Sequence, residues 1–249
     1  MSNVIWTVVA KIIKVFYVKA HIEGVQKVLK CTNAVVVANH LDSFGPLALM
    51  SSLTHKLYPW VVQEVTNLKE CAAYIREDFV EKELKLRSFV GRELSRIIGR
   101  ICVRLMAYLE AVPVYGRSRE IYRTFEISLS YLKSKRALVV FPENEESKKQ
   151  DDLCMLNTGF IRMARWLYDT TNKVLTFYPV AVNKKVRAIR VGEPIRFDPS
   201  APFGEERMRI KEYLERSISG MYRALERENE EAAALRHPHK THKIREQAA

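Results

Sequence analysis

The chain has 249 residues, of which 47% are hydrophobic and 10% aromatic. This length and composition exclude a disordered protein and predict one sizeable core with additions at its ends. A formal net charge of +12 favours acidic partners, either nucleic acid or anionic lipid headgroups. The sequence contains neither a zinc finger nor an aromatic RNA-binding pattern, so we expect a membrane surface and no nucleic acid.

The four cysteines are far apart in the sequence and have no paired spacing: Cys31, Cys71, Cys102 and Cys154. Such spacing predicts neither a zinc site nor a disulfide framework. We therefore expect no metal and a reducing, cytoplasmic setting.

The first segment has the pattern of an amphipathic helix. In residues 4–18, apolar side chains recur at helical spacing and Lys11 and Lys14 lie on the other side. This pattern favours a helix in a membrane interface, with Trp6, Lys11 and Lys14 touching lipid. An ordinary helix packed on the domain also fits. The segment is too short to span a bilayer, which takes about 20 apolar residues, so we predict that residues 1–18 attach the chain peripherally to the cytoplasmic face of a membrane.

Strands and helices alternate along the middle of the chain. Apolar runs predict strands over residues 17–23, 33–38, 58–65, 137–141 and 174–182. Helical spacing predicts helices over residues 46–53, 121–132 and 157–168. This alternation predicts a single α/β domain over residues 19–203, with a mixed, mostly parallel sheet flanked by helices. A charged helix over 204–235 and a disordered basic tail over 236–249 follow it.

The clearest predicted helix covers residues 88–109. Its predicted core face consists of Leu94, Ile97, Ile98, Ile101, Leu105 and Leu109. Its other side has an arginine at every fourth position, at 92, 96, 100 and 104. Like charges at this spacing repel, so the row is either a solvated face or a surface for lipid phosphates or an acidic acyl carrier protein. In the second case Arg96 and Arg100 contact the membrane.

The most informative motif is the run from Val36 to Leu47. A buried strand ends in Asn39-His40 and leads into a turn that contains Gly45 and Pro46. Imidazole titrates near neutral pH, so a histidine at a strand end has the chemistry of a general base towards a hydroxyl group. The alternative is a histidine that only caps the turn.

Three later segments strengthen the catalytic interpretation: Ala111-Val112-Pro113-Val114-Tyr115-Gly116-Arg117, Leu138-Val139-Val140-Phe141-Pro142-Glu143 and Tyr178-Pro179-Val180-Ala181-Val182. With the Asn-His motif, and in this order, they resemble the phospholipid/glycerol acyltransferase superfamily, which includes the 1-acylglycerol-3-phosphate acyltransferases. The resemblance covers about residues 16–200. It implies a glycerol-3-phosphate acyltransferase-like fold.

The resemblance also implies a reaction. His40 would act as general base on an acceptor hydroxyl, and the acyl donor would be a coenzyme A or acyl carrier protein thioester, a co-substrate with no further cofactor. The implied substrate-binding residues are Asn39, Arg117, Glu143, Asn144 and Lys148. The product would be an acylated lipid of the phospholipid biosynthesis type.

The chain departs from the family pattern at the orienting carboxylate. The family has an Asp five positions after its His, where this chain has Gly45. Asp42 is the nearest replacement for orienting His40, and Glu143 is the next. On this interpretation, Gly45→Asp is expected to raise activity if the family geometry is otherwise preserved.

A second departure concerns the phosphate site. The family continues its third block as Glu-Gly-Thr-Arg, whereas Glu143 is followed here by Asn144, Glu145 and Glu146. An acid in place of a phosphate-binding Arg favours an acceptor with a neutral or cationic head. The two departures together also favour an alternative function, a catalytically degenerate protein of the same fold that binds acyl chains or a membrane surface.

Overall fold

The computed structural model describes residues 21–24, 32–40, 44–52, 56–82, 84–116, 120–143 and 155–236. The predicted membrane helix over residues 1–18 and the basic tail after residue 236 lie outside these ranges. In the part of the chain described, no helix is long and apolar enough to cross a membrane.

The centre of the molecule is an eight-stranded sheet. Its strands, numbered in chain order, are β1 His21–Glu23, β2 Ala34–Ala38, β3 Leu57–Val62, β4 Val112–Val114, β5 Ala137–Val140, β6 Thr176–Asn183, β7 Ala188–Val191 and β8 Ile195–Arg196. The order across the sheet is β1-β7-β6-β2-β5-β3-β4, and β8 pairs with β6. The pairings of β6 with β7 and β8 are antiparallel and the others are parallel. The predicted mixed, mostly parallel α/β sheet is confirmed.

Six α-helices are described: α1 Phe44–Ser52, α2 Leu68–Ile75, α3 Phe89–Tyr108, α4 Ile121–Lys133, α5 Arg162–Thr171 and α6 Phe203–Arg236. A 3₁₀ turn over Gln63–Thr66 takes the place of the end of the predicted strand 58–65. A π-helical turn over Arg76–Val80 extends α2. Pro46 is in the first turn of α1, where a missing N–H leaves no helical hydrogen bond unmade.

The central strands are apolar throughout because both faces of the sheet are covered. On one face, Val35, Val37 and Val140 join a core with side chains from α4, α5 and α6, among them Phe125, Leu167 and Ile210. On the opposite face, Val36, Ala38 and Val139 pack with Ala48 and Leu49 of α1. We name these the α4–α6 face and the α1 face.

The connections that leave β2 and β5 run over opposite faces of the sheet and in opposite directions across it. From β2 the chain passes through α1 on one face to β3, and from β5 it passes through α5 on the other face to β6. Strands β2 and β5 are neighbours, so the segments that leave their carboxyl ends diverge to opposite sides. In open α/β sheets, ligands bind in the crevice that such a divergence opens.

The expected core face of α3 is wrong for Ile97 and Ile101, while Leu94, Ile98, Leu105 and Leu109 are half-buried. Its buried positions are Gly91, Ser95 and Gly99, whereas Ile97 and Ile101 are 54% and 50% exposed. The reason is the neighbour of α3, which is α2 and not the sheet. A β-carbon at Gly99 would lie 3.1 Å from the Ala72 Cα, so the two backbones approach closely only along a face of small residues.

Candidate functional site

The candidate site is the crevice at the carboxyl ends of β2 and β5. His40 follows β2 by two residues and is half-buried. His40 lies on the α1 side, because it contacts Phe141, which packs on the α1 face. Its ring makes an edge contact with Phe141, with centroids 5.5 Å apart and planes at 84°.

Asn39 holds the end of β2 in place. Its side chain is buried, its Nδ2 donates to the Val182 carbonyl at 2.9 Å, and its Oδ1 accepts from the Val182 N–H at 2.7 Å. A side-chain amide has the donor and acceptor of a peptide group, so Asn39 continues the β2–β6 ladder after the backbone pairing has ended at Ala38. The structure thus gives Asn39 the role of positioning His40, in contrast to the substrate contact that the resemblance implies.

Glu143 belongs to the same crevice. The register pairs Val37 of β2 with Val140 of β5, and counting three residues onward along both chains leads to His40 and Glu143. Glu143 is half-buried, and its backbone forms an antiparallel bridge with Leu156. Two further bonds hold the returning segment, since the Asn157 N–H donates to the Pro142 carbonyl at 2.8 Å and the Leu156 N–H donates to Glu215 Oε1 at 2.8 Å.

The backbone at Gly45 leaves no room for a side chain. A β-carbon at this position would lie 2.0 Å from the His40 carbonyl oxygen and 3.0 Å from that of Asn39. The Gly45→Asp prediction required the family geometry to be preserved, and this condition is not met, because the carboxylate could enter only if the start of α1 moved away from His40.

The remaining predicted residues divide into two groups. Those outside the described ranges are Trp6, Lys11, Lys14, Asp42, Arg117, Asn144 and Lys148. Arg96 and Arg100 are described, and both are exposed on α3. They lie on a helix that packs on α2, so they belong to a surface separate from the crevice.

Sequence reasoning missed the contribution of Val182 and Leu156. Val182 binds Asn39 through its backbone, and Leu156 pairs with Glu143 through its backbone. A residue of any type can bind through its backbone, so the sequence does not mark such partners. Only the Asn39 side chain, placed directly after a buried strand, could have indicated the contact with Val182.

The fold and the site define the chain as an α/β protein with a histidine and a carboxylate beyond the carboxyl ends of β2 and β5. This is the topological switch point of the sheet, where the two outgoing segments diverge to opposite faces. Comparison with protein-family models, with curated proteins and with solved structures gave no match. Among the described residues, no group of three or more His, Cys, Asp or Glu could hold a metal ion. The functional argument therefore depends on the geometry of the crevice and on the sequence blocks that meet there.

Proposed function

We propose that the protein is an O-acyltransferase of the phospholipid/glycerol acyltransferase type, with a glycerol-3-phosphate acyltransferase-like fold. It would move a fatty acyl group from a coenzyme A or acyl carrier protein thioester to a hydroxyl of a lipid-type acceptor. The observation that supports this most is the position of His40. It lies directly beyond β2 at the switch point, beside Phe141 of the third sequence block.

In the proposed reaction, His40 accepts the proton of the acceptor hydroxyl as its oxygen attacks the thioester carbonyl carbon. The carbon–sulfur bond then breaks, the acyl group remains on the acceptor oxygen as an ester, and the sulfur leaves as a thiol after taking the proton back. General base catalysis of this kind contributes typically about 10²–10⁴-fold. A histidine in this role must be held in one orientation, as the carboxylate of a catalytic triad holds it.

Glu143 is our candidate for orienting His40. It is the carboxylate at the end of the neighbouring strand, three residues past the last register pair, at the same level as His40. Asp42, the other candidate, lies outside the described residues. Replacing Glu143 by Gln tests the assignment, since the shape stays and the charge is removed.

The surroundings of the crevice suit an acyl chain. Met50, Phe141 and Tyr178 are partly buried apolar side chains packed on the α1 face, the face to which His40 is directed. Residues 1–18 would attach the chain to the membrane in which the acceptor resides. The protein would then act peripherally on the cytoplasmic face.

A second function is favoured by the geometry at Gly45. Because this backbone excludes the family Asp, the crevice could belong to a degenerate acyltransferase fold that binds acyl chains without turnover. The two functions differ in one measurable respect, which is whether a thiol is released.

Thiol release by purified protein separates them. The protein is incubated with acyl-coenzyme A and a panel of acceptors that includes lysophosphatidate and a neutral glycerolipid. We expect turnover by the wild type, a loss of at least about 100-fold in His40→Ala, and preference for the neutral acceptor. Binding of acyl-coenzyme A without turnover, equal in wild type and His40→Ala, would instead support the degenerate protein.

A further inference from the structure

An apolar stripe is exposed along α3. Val90, Ile97, Ile101 and Tyr108 have exposed fractions of 64%, 54%, 50% and 40%. They follow Val90 by seven, 11 and 18 residues, which are close to two, three and five whole turns of an α-helix. All four side chains therefore lie on one line, which we name the α3 stripe, about 27 Å long at about 1.5 Å per residue.

The packing of α3 explains why this line is exposed. The helix uses Gly91, Ser95 and Gly99 to approach α2, and these positions are more than a quarter turn away from the stripe. Close contact through small residues fixes the rotation of α3 about its axis. The branched side chains are consequently held outward, with none of the four in the core.

A row of arginines winds around α3 and comes close to the stripe at Arg100 and Arg104. Arg92, Arg96, Arg100 and Arg104 are exposed, and the four-residue spacing winds the row around α3 towards the stripe. Arg100 and Arg104 are within about 80° of it at about 100° per residue. Arg96 forms an ion pair with Glu93, and Arg92 lies over the ring of Phe89. An apolar line with cations beside it has the character of a helix at an anionic bilayer surface.

Further apolar side chains are exposed in the segments that precede α3. Leu84 and Leu86 are exposed just before the helix, and Phe89 is 65% exposed at its first position. Val62 and Leu68 are exposed where the chain leaves the carboxyl end of β3 and enters α2. Strands β2, β5 and β3 are parallel neighbours, so the carboxyl end of β3 lies at the same end of the sheet as the crevice with His40.

We propose that α3 docks on an anionic bilayer, with the α3 stripe among the acyl chains and Arg100 and Arg104 at the phosphates. An anionic bilayer is favoured over a protein partner by charge, because the exposed Arg100 and Arg104 lie beside the stripe and the aromatic Tyr108 lies at its end. This attachment is additional to residues 1–18, and it deepens the proposed function, since it would hold the crevice edge near a membrane-borne acceptor.

Vesicle sedimentation with the full chain tests the inference. Vesicles of phosphatidylcholine with 30 mol%, about a third, phosphatidylglycerol are compared with pure phosphatidylcholine. We expect Ile97→Glu/Ile101→Glu to weaken binding to the mixed vesicles at least about tenfold. Arg100→Gln/Arg104→Gln should weaken it about fivefold per residue on mixed vesicles only, and salt should do the same.

Matched controls come from exposed residues elsewhere. Met208 and Leu235 are exposed apolar residues of α6, so Met208→Glu/Leu235→Glu adds the same two charges away from α3 and should leave binding unchanged. Circular dichroism and Tm confirm that each variant is folded. No acyl donor is present, so a failure of docking is distinguishable from a failure of acyl transfer.

Three results would overturn the inference. The first is no binding of the wild type to the mixed vesicles. The second is undiminished binding by the folded Ile97→Glu/Ile101→Glu variant. The third is a wild-type dimer in solution that this variant makes monomeric while vesicle binding is unchanged, since a second copy would then cover the stripe.

Discussion

Asn39 is the residue whose side chain holds the end of β2 at the crevice. Its amide makes two hydrogen bonds to Val182 in a buried setting, and His40 is the next residue. Asn39→Asp would keep the acceptor but place a carboxylate oxygen against the Val182 carbonyl. We expect the free energy of unfolding to fall by about 1–3 kcal/mol, with a loss of any His40-dependent activity.

The control for this change is Asn67→Asp. Asn67 is exposed at the start of α2, and its Oδ1 accepts from the Lys69 N–H at 3.0 Å. A carboxylate accepts the same bond. The donation from Asn67 Nδ2 to Glu70 Oε1 at 3.2 Å is lost, but this contact is exposed, so the free energy of unfolding should change by less than about 1 kcal/mol. Urea unfolding of both variants is the measurement. Equal effects would show that the Asn39 amide does not hold the strand end.

Gly45 leads to a second prediction at this scale. Gly45→Ala adds only the β-carbon that would overlap the His40 carbonyl oxygen, so we expect destabilisation of about 1–3 kcal/mol or more. In Gly204→Ala, near the start of α6, the new carbon has open space around it, and the variant should be neutral or slightly stabilised. A Gly45→Ala protein as stable as the wild type would contradict the close approach of α1 to His40.

At the scale of elements, the α2–α3 contact brings two distant cysteines together. Cys71 is buried on α2, and Cys102 lies half-buried on α3, near enough for each thiol to affect the pKa of the other. Burial raises the pKa of both thiols, and the adjacent Cys71 adds to the effect for Cys102, whose pKa rises to about 12. A thiol with a raised pKa is mostly protonated near neutral pH and is a poor nucleophile.

We therefore expect slow reaction of this cysteine pair with Ellman's reagent. In a Cys31→Ser/Cys154→Ser protein, the two remaining thiols are Cys71 and Cys102. At about pH 8 they should react at least about 100-fold more slowly in the native state than in urea, because the thiolate fraction is small and the site is packed. Rapid labelling of the native protein would show that the α2–α3 contact opens.

At the scale of the whole molecule, a charged cluster joins three strands at their amino ends. Glu110 precedes β4 and pairs with Lys56, which precedes β3, and with Arg136, which precedes β5, the latter at 2.7 Å. The hydrogen bond from Lys56, and then the charges of Lys56 and Arg136, hold the pKa of Glu110 below its ordinary value of 4.5. The cluster lies at the amino ends of the strands, whereas the crevice lies at their carboxyl ends.

The lowered pKa gives a pH dependence with a definite sign. A carboxyl group whose pKa is lower in the folded state stabilises the fold above its ordinary pKa, and the contribution is lost as the pH falls below it. Glu110→Gln should therefore cost about 0.5–1 kcal/mol at neutral pH, as exposed ion pairs do, and should have a smaller effect below the ordinary pKa of 4.5.

The matching control is Glu126→Gln, an exposed acid on α4, which should have little effect at either pH. Urea unfolding at neutral pH and at about pH 3.5 gives the comparison. If Glu110→Gln and the wild type had the same stability at neutral pH, the cluster would not stabilise the sheet.

Much of the architecture was predictable from the sequence. Runs such as Ala34–Ala38 and Ala137–Val140 are apolar at every position because both faces of a parallel sheet are buried, and their alternation with helical segments indicates the class of fold. The Asn39-His40 motif likewise indicated which strand end to consider. Each of these features depends on the residue types within one short segment, and for that reason the sequence alone indicates it.

The surfaces that α3 buries and exposes were decided only by tertiary structure, as were the role of Asn39 and the closeness of Gly45 to His40. Periodicity shows that a helix has an apolar side, but packing against α2 selected the face with Gly91, Ser95 and Gly99 and left Ile97 and Ile101 exposed. The Asn39 bonds join residues 143 positions apart. Such contacts depend on which elements meet and how closely their backbones approach, and that is settled by packing over the whole sheet and not by any one segment.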